Sequence, residues 1–202
     1  MPNTATKLIL ADCDGVLLNW NEAFSAWMVE NGYTLYDENE YSIGKRYRLG
    51  SDEAGHELVR LFNSSPAIGT LRPCDGALHY VGKLHAEHGF SFTVVTCLSD
   101  NPNAAVYRTK NLKDVFGDIF EEIICLPLVD NKIGALGRWK DSGLFWIEDN
   151  ISNAHSGYQL GLKTILLNRA YNAASDLPFP RVTNWKEIYG MITSNRHPAI
   201  AL

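Results

Sequence analysis

The sequence has little cysteine and no long apolar run, and both absences narrow the classes of protein it can encode. Only four of its 202 residues are cysteine, with no CxxC pair and no cysteine–histidine spacing typical of zinc sites. We therefore expect reduced thiols. No apolar run approaches the roughly 18 residues of a membrane span. The first residues also lack the features of a signal peptide. These observations predict a cytoplasmic protein with no membrane partner.

Basic charge is also scarce. Eighteen lysines and arginines stand against 23 aspartates and glutamates, which gives a formal net charge of -5. This balance offers no bulk electrostatic attraction for a nucleic-acid polymer. A pocket for a small anion needs only two or three cations, so a small anionic ligand is not excluded. The length and the hydrophobic fraction of 46% fit one core domain with a modest insertion.

Five short apolar runs alternate with helical patterns along most of the chain. The runs are near-continuous, which is typical of strands covered on both faces. Strands that alternate with helices predict an α/β fold, a Rossmann-like doubly wound parallel sheet with helices on both faces. The predicted strands cover residues 8–11, 90–96, 123–126, 144–147 and 164–167, and the predicted helices cover residues 77–88, 103–116 and 152–160.

One interval, residues 16–76, does not follow this alternation and is rich in aromatic and basic residues. A structureless loop of that length is uncommon in a compact domain. We predict a small helical cap at residues 18–72, inserted into an α/β core formed by residues 1–17 and 73–202. One or two aromatic rings of the cap, with Arg46 or Arg48, are expected to reach the substrate. The proline-containing tail after Leu177 is expected to be peripheral.

The first apolar run leads directly into Asp12-Cys13-Asp14-Gly15. Two carboxylates at the edge of a core are costly to bury unless a cation compensates their charge. Mg²⁺ is suited to such a place, since it prefers one or two carboxylates together with phosphate oxygens and water. Taken alone, the pattern also fits a surface turn or a fragment of a calcium-binding loop.

Three further segments follow predicted strands in the same way. They are Thr96-Cys97, Lys132 in the next connection, and the acid pair Glu148-Asp149. Each has an ordinary structural interpretation when considered alone. Their joint placement is informative, because open α/β sheets bind ligands at the carboxyl ends of their strands. Together the four segments predict a site for Mg²⁺ and a phosphoryl group.

In this order, the four segments resemble the haloacid dehalogenase-like hydrolase superfamily: DxDGV, a strand that ends in threonine, a lysine, and an acid pair. The resemblance covers residues 7–17 and 73–168. It implies an Mg²⁺-dependent phosphomonoester hydrolase that acts through an aspartyl-phosphate on a small phosphorylated metabolite. Asp12 is then the nucleophile and Asp14 the general acid and base. An alkoxide leaving group needs a proton whereas a halide does not, so Asp14 favours phosphate chemistry over dehalogenation.

The resemblance also implies the ligand sets. Asp12, the backbone carbonyl of Asp14, and Asp149 would bind Mg²⁺, with Glu148 assisting through water. The hydroxyl of Thr96 and the ammonium group of Lys132 would bind the phosphoryl group.

Within the superfamily the chain is most similar to the 5'(3')-deoxyribonucleotidase branch, through DxDGVLLNW, Phe116-Gly117 and Asp130-x-Lys132. This similarity implies a (deoxy)nucleoside monophosphate as substrate. It also adds Arg108 and Cys97 to the phosphate-binding set, Arg108 standing where the branch often has a second lysine. Two departures weaken the assignment: Cys97 replaces a serine, and the acid pair begins with Glu148 rather than an aspartate.

Two other functions are compatible with parts of the pattern. A phosphomutase or phosphotransferase on a sugar phosphate uses the same aspartyl-phosphate and differs in its acceptor. A receiver domain of a signalling relay also gathers acids, a threonine and a lysine around Mg²⁺. In a receiver domain, however, the acids precede the threonine and lysine, whereas Thr96 and Lys132 precede Glu148-Asp149 here. No GxGxxG dinucleotide-binding motif is present. The sequence gives no indication of oligomeric state.

Overall fold

The computed structural model describes residues 7–173 and 176–194. In this part of the chain, six strands form one parallel sheet in the order β3-β2-β1-β4-β5-β6. The predicted α/β fold with a doubly wound parallel sheet is confirmed. The strands are β1 (Leu8–Ala11), β2 (Ser91–Cys97), β3 (Phe120–Leu126), β4 (Phe145–Glu148), β5 (Lys163–Leu167) and β6 (Arg181–Val182).

Helices precede and connect the strands. The α-helices are α1 (Trp20–Glu30), α2 (Ile43–Arg46), α3 (Asp52–Asn63), α4 (Ala77–His88), α5 (Pro102–Phe116), α6 (Ile133–Leu136), α7 (Ile151–Gln159) and α8 (Trp185–Thr193). Short 3₁₀ turns lie at Pro66–Gly69, Gly137–Trp139 and Ala170–Asn172. None of the helices in the described ranges is long and apolar enough to cross a bilayer.

Both faces of the sheet are covered, and alternate residues of β1 show it. Ile9 and Ala11 pack in the larger apolar cluster, whereas Leu8 and Leu10 pack in the cluster on the other face. All four residues of this strand are buried. A strand that is buried on both faces needs apolar residues at every position, which explains the unbroken run in the sequence.

The strand order places a crevice between β1 and β4. From β1 the chain builds outward through β2 and β3, and it then returns to the other side of β1 and continues through β5 and β6. The direction of winding therefore reverses between β1 and β4, and ligands bind at such a reversal outside the carboxyl ends of the strands. Asp12 follows β1 directly, and its backbone N–H donates to the carbonyl of Ile147 at 2.9 Å.

The segment between β1 and α4 is helical. It contains α1, α2, α3 and one 3₁₀ turn, and its aromatic rings form a small core. Phe24 stacks on Trp20 with ring centroids 4.4 Å apart and meets Phe62 edge-on at 5.4 Å. Most of the aromatic residues that distinguish this interval in the sequence are accounted for by such packing. The division into two domains at residues 18 and 73 stays a prediction.

The two ends of this helical segment run side by side. The N–H of Asn19 donates to the carbonyl of Arg72 at 2.8 Å, and the N–H of Cys74 donates to the carbonyl of Leu17 at 2.8 Å. Two backbone hydrogen bonds thus join the point where the chain leaves the sheet to the point where it returns.

The expectation of a peripheral tail is wrong for residues 181–193. β6 pairs with β5, and α8 buries Trp185, Ile188 and Ile192 in the larger apolar cluster. The indole N–H of Trp185 donates to the carbonyl of Val16 at 2.9 Å, beside the predicted active site. A two-residue strand is too short to produce an apolar run, which is why the sequence did not indicate it. Pro198 lies outside the described residues.

We predict that Trp185→Ala lowers the free energy of unfolding by about 3 to 5 kcal/mol, since it removes a large buried side chain and its hydrogen bond to the core. Chemical denaturation measures this change. Lys186→Ala, at an exposed position in the same helix, is the control and should change stability by less than about 0.5 kcal/mol. Equal, small effects of both substitutions would show that α8 is not part of the core.

Candidate active site

Asp12 is the first residue after β1, and its side chain is buried at the crevice. One carboxylate oxygen, Oδ1, lies 2.6 Å from Nζ of Lys132. Asp12 also borders the central cavity. The carboxylate of Asp12 is therefore beside a cation and beside the space that a ligand can occupy.

Lys132 lies at the start of α6, and its side chain is 98% buried between two acids. Its ammonium group contacts Asp12 and lies 2.8 Å from Oε2 of Glu148. Burial opposes the charge on Lys132, but Asp12 and Glu148 more than offset that effect and raise its pKa above the ordinary lysine value. Lys132 is therefore a fixed positive charge beside Asp12.

Glu148 and Asp149 end β4 and begin the turn into α7. Glu148 is fully buried, and its Oε1 accepts the backbone N–H groups of Asp149 at 3.0 Å and Asn150 at 2.9 Å. Its other oxygen accepts from Lys132. Burial and the neighbouring Asp12 raise the pKa of Glu148. These contacts show Glu148 fixing the turn and the lysine, whereas its role toward a metal through water stays a prediction.

Asp149 is held by a tyrosine that the sequence analysis missed. Tyr171, in the 3₁₀ turn after β5, donates its hydroxyl to Oδ2 of Asp149, and the side chain of Asn172 donates to the Asp149 carbonyl at 2.7 Å. Burial and the charge of Asp12 raise the pKa of Asp149 to about 6. No local pattern near residue 171 indicated this contact, because it depends on tertiary packing 22 residues after Asp149.

Gly15 permits the close approach of the two acid segments. Its φ of +75° lies in the left-handed region, and a Cβ at this position would stand 2.1 Å from Oδ2 of Asp149. Any other residue would therefore combine backbone strain with a clash against a carboxylate. The glycine of DxDG is needed both for the turn and for the space that Asp149 occupies.

Asp14 pairs with Arg108, which arrives from α5. One guanidinium nitrogen of Arg108 lies 2.7 Å from Oδ1 and 2.9 Å from Oδ2 of Asp14, and another donates to Sγ of Cys13 at 3.1 Å. Burial raises the pKa of Asp14 to about 7, although Arg108 acts in the opposite direction. A carboxyl group with a pKa near neutrality is suited to giving and taking a proton.

Arg108 itself is fully buried and does not border the central cavity. Its partners are Asp14 and Cys13, and a phosphate-binding role for Arg108 stays a prediction. The resemblance implies a basic residue at this position after the second motif, and Arg108 is basic. Its guanidinium contacts the carboxylate of Asp14 and does not border the cavity.

Thr96 and Cys97 end β2 and both border the cavity. Thr96 is buried, and the Cys97 thiol donates to the carbonyl of Asp130 at 3.3 Å. Burial raises the pKa of the Cys97 thiol to about 11, so the group is uncharged at neutral pH and does not repel an anion. All four cysteines are free, as expected.

The acids fit a divalent cation. Asp12, Glu148 and Asp149 each offer one carboxylate oxygen, and the three oxygens lie within 4.8 Å of one another. Oxygen ligands of this kind suit Mg²⁺, and burial together with the neighbouring charge of Asp12 raises the pKa of both Glu148 and Asp149, so added positive charge would favour their ionised forms. A bound ion would supply it.

A cavity of about 700 Å³ opens above these groups. The sheet side contributes the predicted site residues Asp12, Asp14, Thr96, Cys97, Lys132 and Asp149. The helical segment contributes Trp20, Asn21, Tyr41, Arg46, Asp52 and His56. Arg48, the alternative to Arg46, is exposed and is not among the residues that border the cavity. The structure thus brings together all the predicted site residues except Arg108, which contacts the site from beneath through Asp14.

Solved structures with this arrangement of strands are found among hydrolases. A haloacid dehalogenase-like hydrolase from Streptococcus pneumoniae superposes with a TM-score of 0.64 at 13% identity, over 93% of this chain and 98% of its own. A predicted phosphatase from Clostridium acetobutylicum superposes with a TM-score of 0.64 at 14% identity, over 95% of this chain and 100% of its own. The chain has a haloacid dehalogenase-like fold.

The same fold also occurs in an L-2-haloacid dehalogenase from Xanthobacter autotrophicus, with a TM-score of 0.60 and 11% identity over 93% of this chain and 98% of that one. The fold alone therefore does not choose between phosphate and halide chemistry. These neighbours show the fold that the resemblance implies, while membership of the superfamily and of its deoxyribonucleotidase branch stays a prediction.

Sequence comparison gives a more limited result. No protein-family profile matches the chain. An uncharacterised 32.4 kDa protein of Enterobacteria phage T4 is 31% identical over 123 residues. The match covers 57% of this chain and 43% of the phage protein, so the chain spans less than half of the length of that relative.

We predict that the metal-free protein loses stability as the pH rises from about 4 to about 7. Asp14 and Asp149 have pKa values of about 7 and about 6 in the folded protein, above the value of about 4 for an unfolded aspartate. The folded state therefore binds more protons than the unfolded state in this window, and the free energy of unfolding falls as they are released. Thermal unfolding in EDTA between pH 4 and pH 7.5 measures the trend.

At pH 7.5, Mg²⁺ at a hundredfold excess over its Kd should raise the Tm by about 5 to 10 °C. Asp149→Asn should remove most of this rise, because it removes a candidate ligand, whereas Asp118→Asn at an exposed position should preserve it. An undiminished Mg²⁺ effect in Asp149→Asn would contradict the proposed metal site.

Proposed function

We propose that this protein is an Mg²⁺-dependent phosphomonoester hydrolase that acts through an aspartyl-phosphate on Asp12. The observation that carries the proposal is the environment of Asp12, whose Oδ1 lies 2.6 Å from Nζ of Lys132 and which borders the same cavity as Thr96 and Asp149. A carboxylate that is fixed in this way can attack a phosphorus atom in the cavity.

The remaining groups fit the steps that such an attack requires. Asp14, with a pKa near 7, gives a proton to the leaving oxygen and later takes one from the attacking water. Lys132 and Thr96 stabilise the charge on the phosphoryl oxygens. Asp12 and Asp149 would hold Mg²⁺, which supplies positive charge between two anions that must approach each other.

Asp14 favours phosphate transfer over dehalogenation, although both chemistries occur on this fold. A halide departs without a proton, so a dehalogenase has no use for an acid at this position. An alkoxide leaving group needs one, and the position of Asp14 at the cavity with a pKa of about 7 supports this role. Release of inorganic phosphate distinguishes a hydrolase from a phosphomutase, which returns the phosphoryl group to its substrate.

We predict that the protein releases inorganic phosphate from small phosphomonoesters in the presence of Mg²⁺ and that EDTA abolishes the release. Asp12→Asn should lower kcat by at least about 10³-fold, since an amide oxygen is a poor nucleophile and the aspartyl-phosphate cannot form. A phosphate-release assay over a panel of sugar, glycerol and nucleoside monophosphates measures both effects. Asp118→Asn, exposed and remote in sequence, is the matched control. Robust turnover by Asp12→Asn would exclude Asp12 as the nucleophile.

Among small phosphomonoesters, a (deoxy)nucleoside monophosphate is the more specific candidate substrate. In addition to the branch resemblance, the indole of Trp20 and the phenol ring of Tyr41 border the cavity, where a base can stack.

We predict that thymidine 5'-monophosphate has a kcat/KM about 10- to 100-fold above that of deoxyribose 5-phosphate, because stacking of one base is worth about 1 to 3 kcal/mol. The two compounds share the sugar and the phosphate, so the ratio isolates the base. Equal or better turnover of deoxyribose 5-phosphate would retire the nucleotide assignment and leave the phosphatase proposal intact.

A further inference from the structure

Arg46, at the end of α2, is a buried cation without an acidic partner in the described part of the chain. Its side chain belongs to a residue that is only 4% exposed. Its Nε donates to the carbonyl of Glu40 at 2.9 Å, and one terminal nitrogen donates to Oδ1 of Asn21 at 2.9 Å. The guanidinium also lies over the ring of Tyr171 at 5.6 Å. None of these contacts supplies a negative charge.

The other two buried cations near the cavity differ from Arg46, because each of them contacts a carboxylate. Lys132 contacts the carboxylates of Asp12 and Glu148, and Arg108 contacts the carboxylate of Asp14. A buried charge without a partner is costly, so proteins pair such charges or use them for ligands. A guanidinium carries five N–H donors, and the protein contacts given above use two of those of Arg46.

The negative charges of the metal site can be balanced without Arg46. Four carboxylates meet at the carboxyl ends of β1 and β4, namely Asp12, Asp14, Glu148 and Asp149. Lys132, Arg108 and one divalent ion together balance them when all four are ionised. The charge of Arg46 is then not needed by the protein's own acids, and it is available to a molecule in the cavity.

The position of Arg46 sets which part of a ligand it reaches. The residue borders the same cavity as Asp12 and Lys132, but it belongs to the helical segment. Its link to the metal site runs through Asn21 and Tyr171: the amide of Asn21 donates to the Tyr171 hydroxyl at 3.1 Å, and that hydroxyl donates to Asp149. The groups that fit the transferring phosphoryl group, Thr96 and Lys132, are on other elements.

We propose that Arg46 binds a second anionic group of the substrate, so that a phosphomonoester, a nucleotide included, is preferred when it also carries a carboxylate or a second phosphate over the same compound without it. This inference rests on the proposed function and names the chemical class of substrate for the same site. Arg46 can offer a planar pair of N–H groups to either anion. The two sources of the second charge share this chemistry and are separated by experiment.

The test measures binding rather than turnover, so that it is readable even if the protein hydrolyses none of the compounds. The probes are ω-carboxyalkylphosphonates with one to four methylene groups, each compared with the alkylphosphonate of the same length. Isothermal titration calorimetry is performed on the full chain with Mg²⁺. We expect at least one carboxylated probe, or the corresponding α,ω-bisphosphonate, to bind about 10- to 100-fold more tightly than its single-anion counterpart.

Arg46→Met should remove this preference while it leaves the affinity for the alkylphosphonate within about twofold. Arg48→Met is the matched control, since Arg48 is an exposed arginine in the same segment that lies over the ring of Tyr36 at 4.2 Å. The preference of the Arg48→Met protein for two-anion probes should equal that of the unsubstituted protein. Arg46→Lys, which keeps the charge but not the paired donors, should retain part of the preference.

Three outcomes would overturn the inference. Equal binding of single-anion and two-anion probes at every length means that no second anion site exists. An equal loss of affinity for both kinds of probe in Arg46→Met means that Arg46 contacts the transferring group instead. A preference that survives Arg46→Met means that another residue holds the second charge. Should Arg46→Met fail to fold, Arg46→Gln retains an amide donor for the Glu40 carbonyl and provides the same comparison.

The measurement also separates this inference from the proposed function. Absence of the preference in the unsubstituted protein, with intact Mg²⁺-dependent phosphate release, would retire the second-anion site alone. Conversely, a clear preference without any phosphate release would retain Arg46 as an anion site and retire the hydrolase. The affinities of the carboxylated and bisphosphonate probes, compared at equal length, identify which second anion fits better.

Discussion

Four carboxylates crowded at the ends of two neighbouring strands are the constraint on which the rest of this structure depends. β1 and β4 are adjacent, so the residues that follow them, Asp12 and Asp149, cannot avoid each other. Like charges this close and this buried oppose folding unless cations offset them. Lys132 and Arg108 provide part of that offset, and the negative charge that remains fits the proposed divalent ion.

The helical segment is coupled to these acids through hydrogen bonds between polar side chains as well as through apolar contact. Tyr171 receives a hydrogen bond from Asn21 and donates one to Asp149, and Asn150 donates to the hydroxyl of Tyr41 at 2.8 Å. The orientation of the second acid therefore depends on where the helical segment sits. In the proposed hydrolase, a ligand that shifts that segment would therefore also act on the carboxylate of Asp149.

The sequence predicted the sheet and the convergence of the sheet-side residues, because both depend on local patterns. The unbroken apolar strands, the DxDG turn and the acid pair are each visible within a few residues, and the parallel topology then brings them to one edge. Tyr171 and the pairing of Arg108 with Asp14 were not predictable in this way, because they depend on side chains that meet only after packing. Likewise, the pattern could not choose between Arg46 and Arg48, since their burial is set by the tertiary fold. β6 was too short to leave a signal, and with it the buried role of Trp185 was missed.

The backbone hydrogen bonds between Asn19 and Arg72 and between Leu17 and Cys74 have a consequence for how such a chain can diversify. Because the segment departs and returns at a single place, its length and content are nearly independent of the strand register beneath it. Insertions, deletions or exchange of the whole segment would alter what fits above Asp12 without moving the acids to which we assign the reaction. The core can thus keep one chemistry while its specificity is rebuilt from a separate piece of sequence.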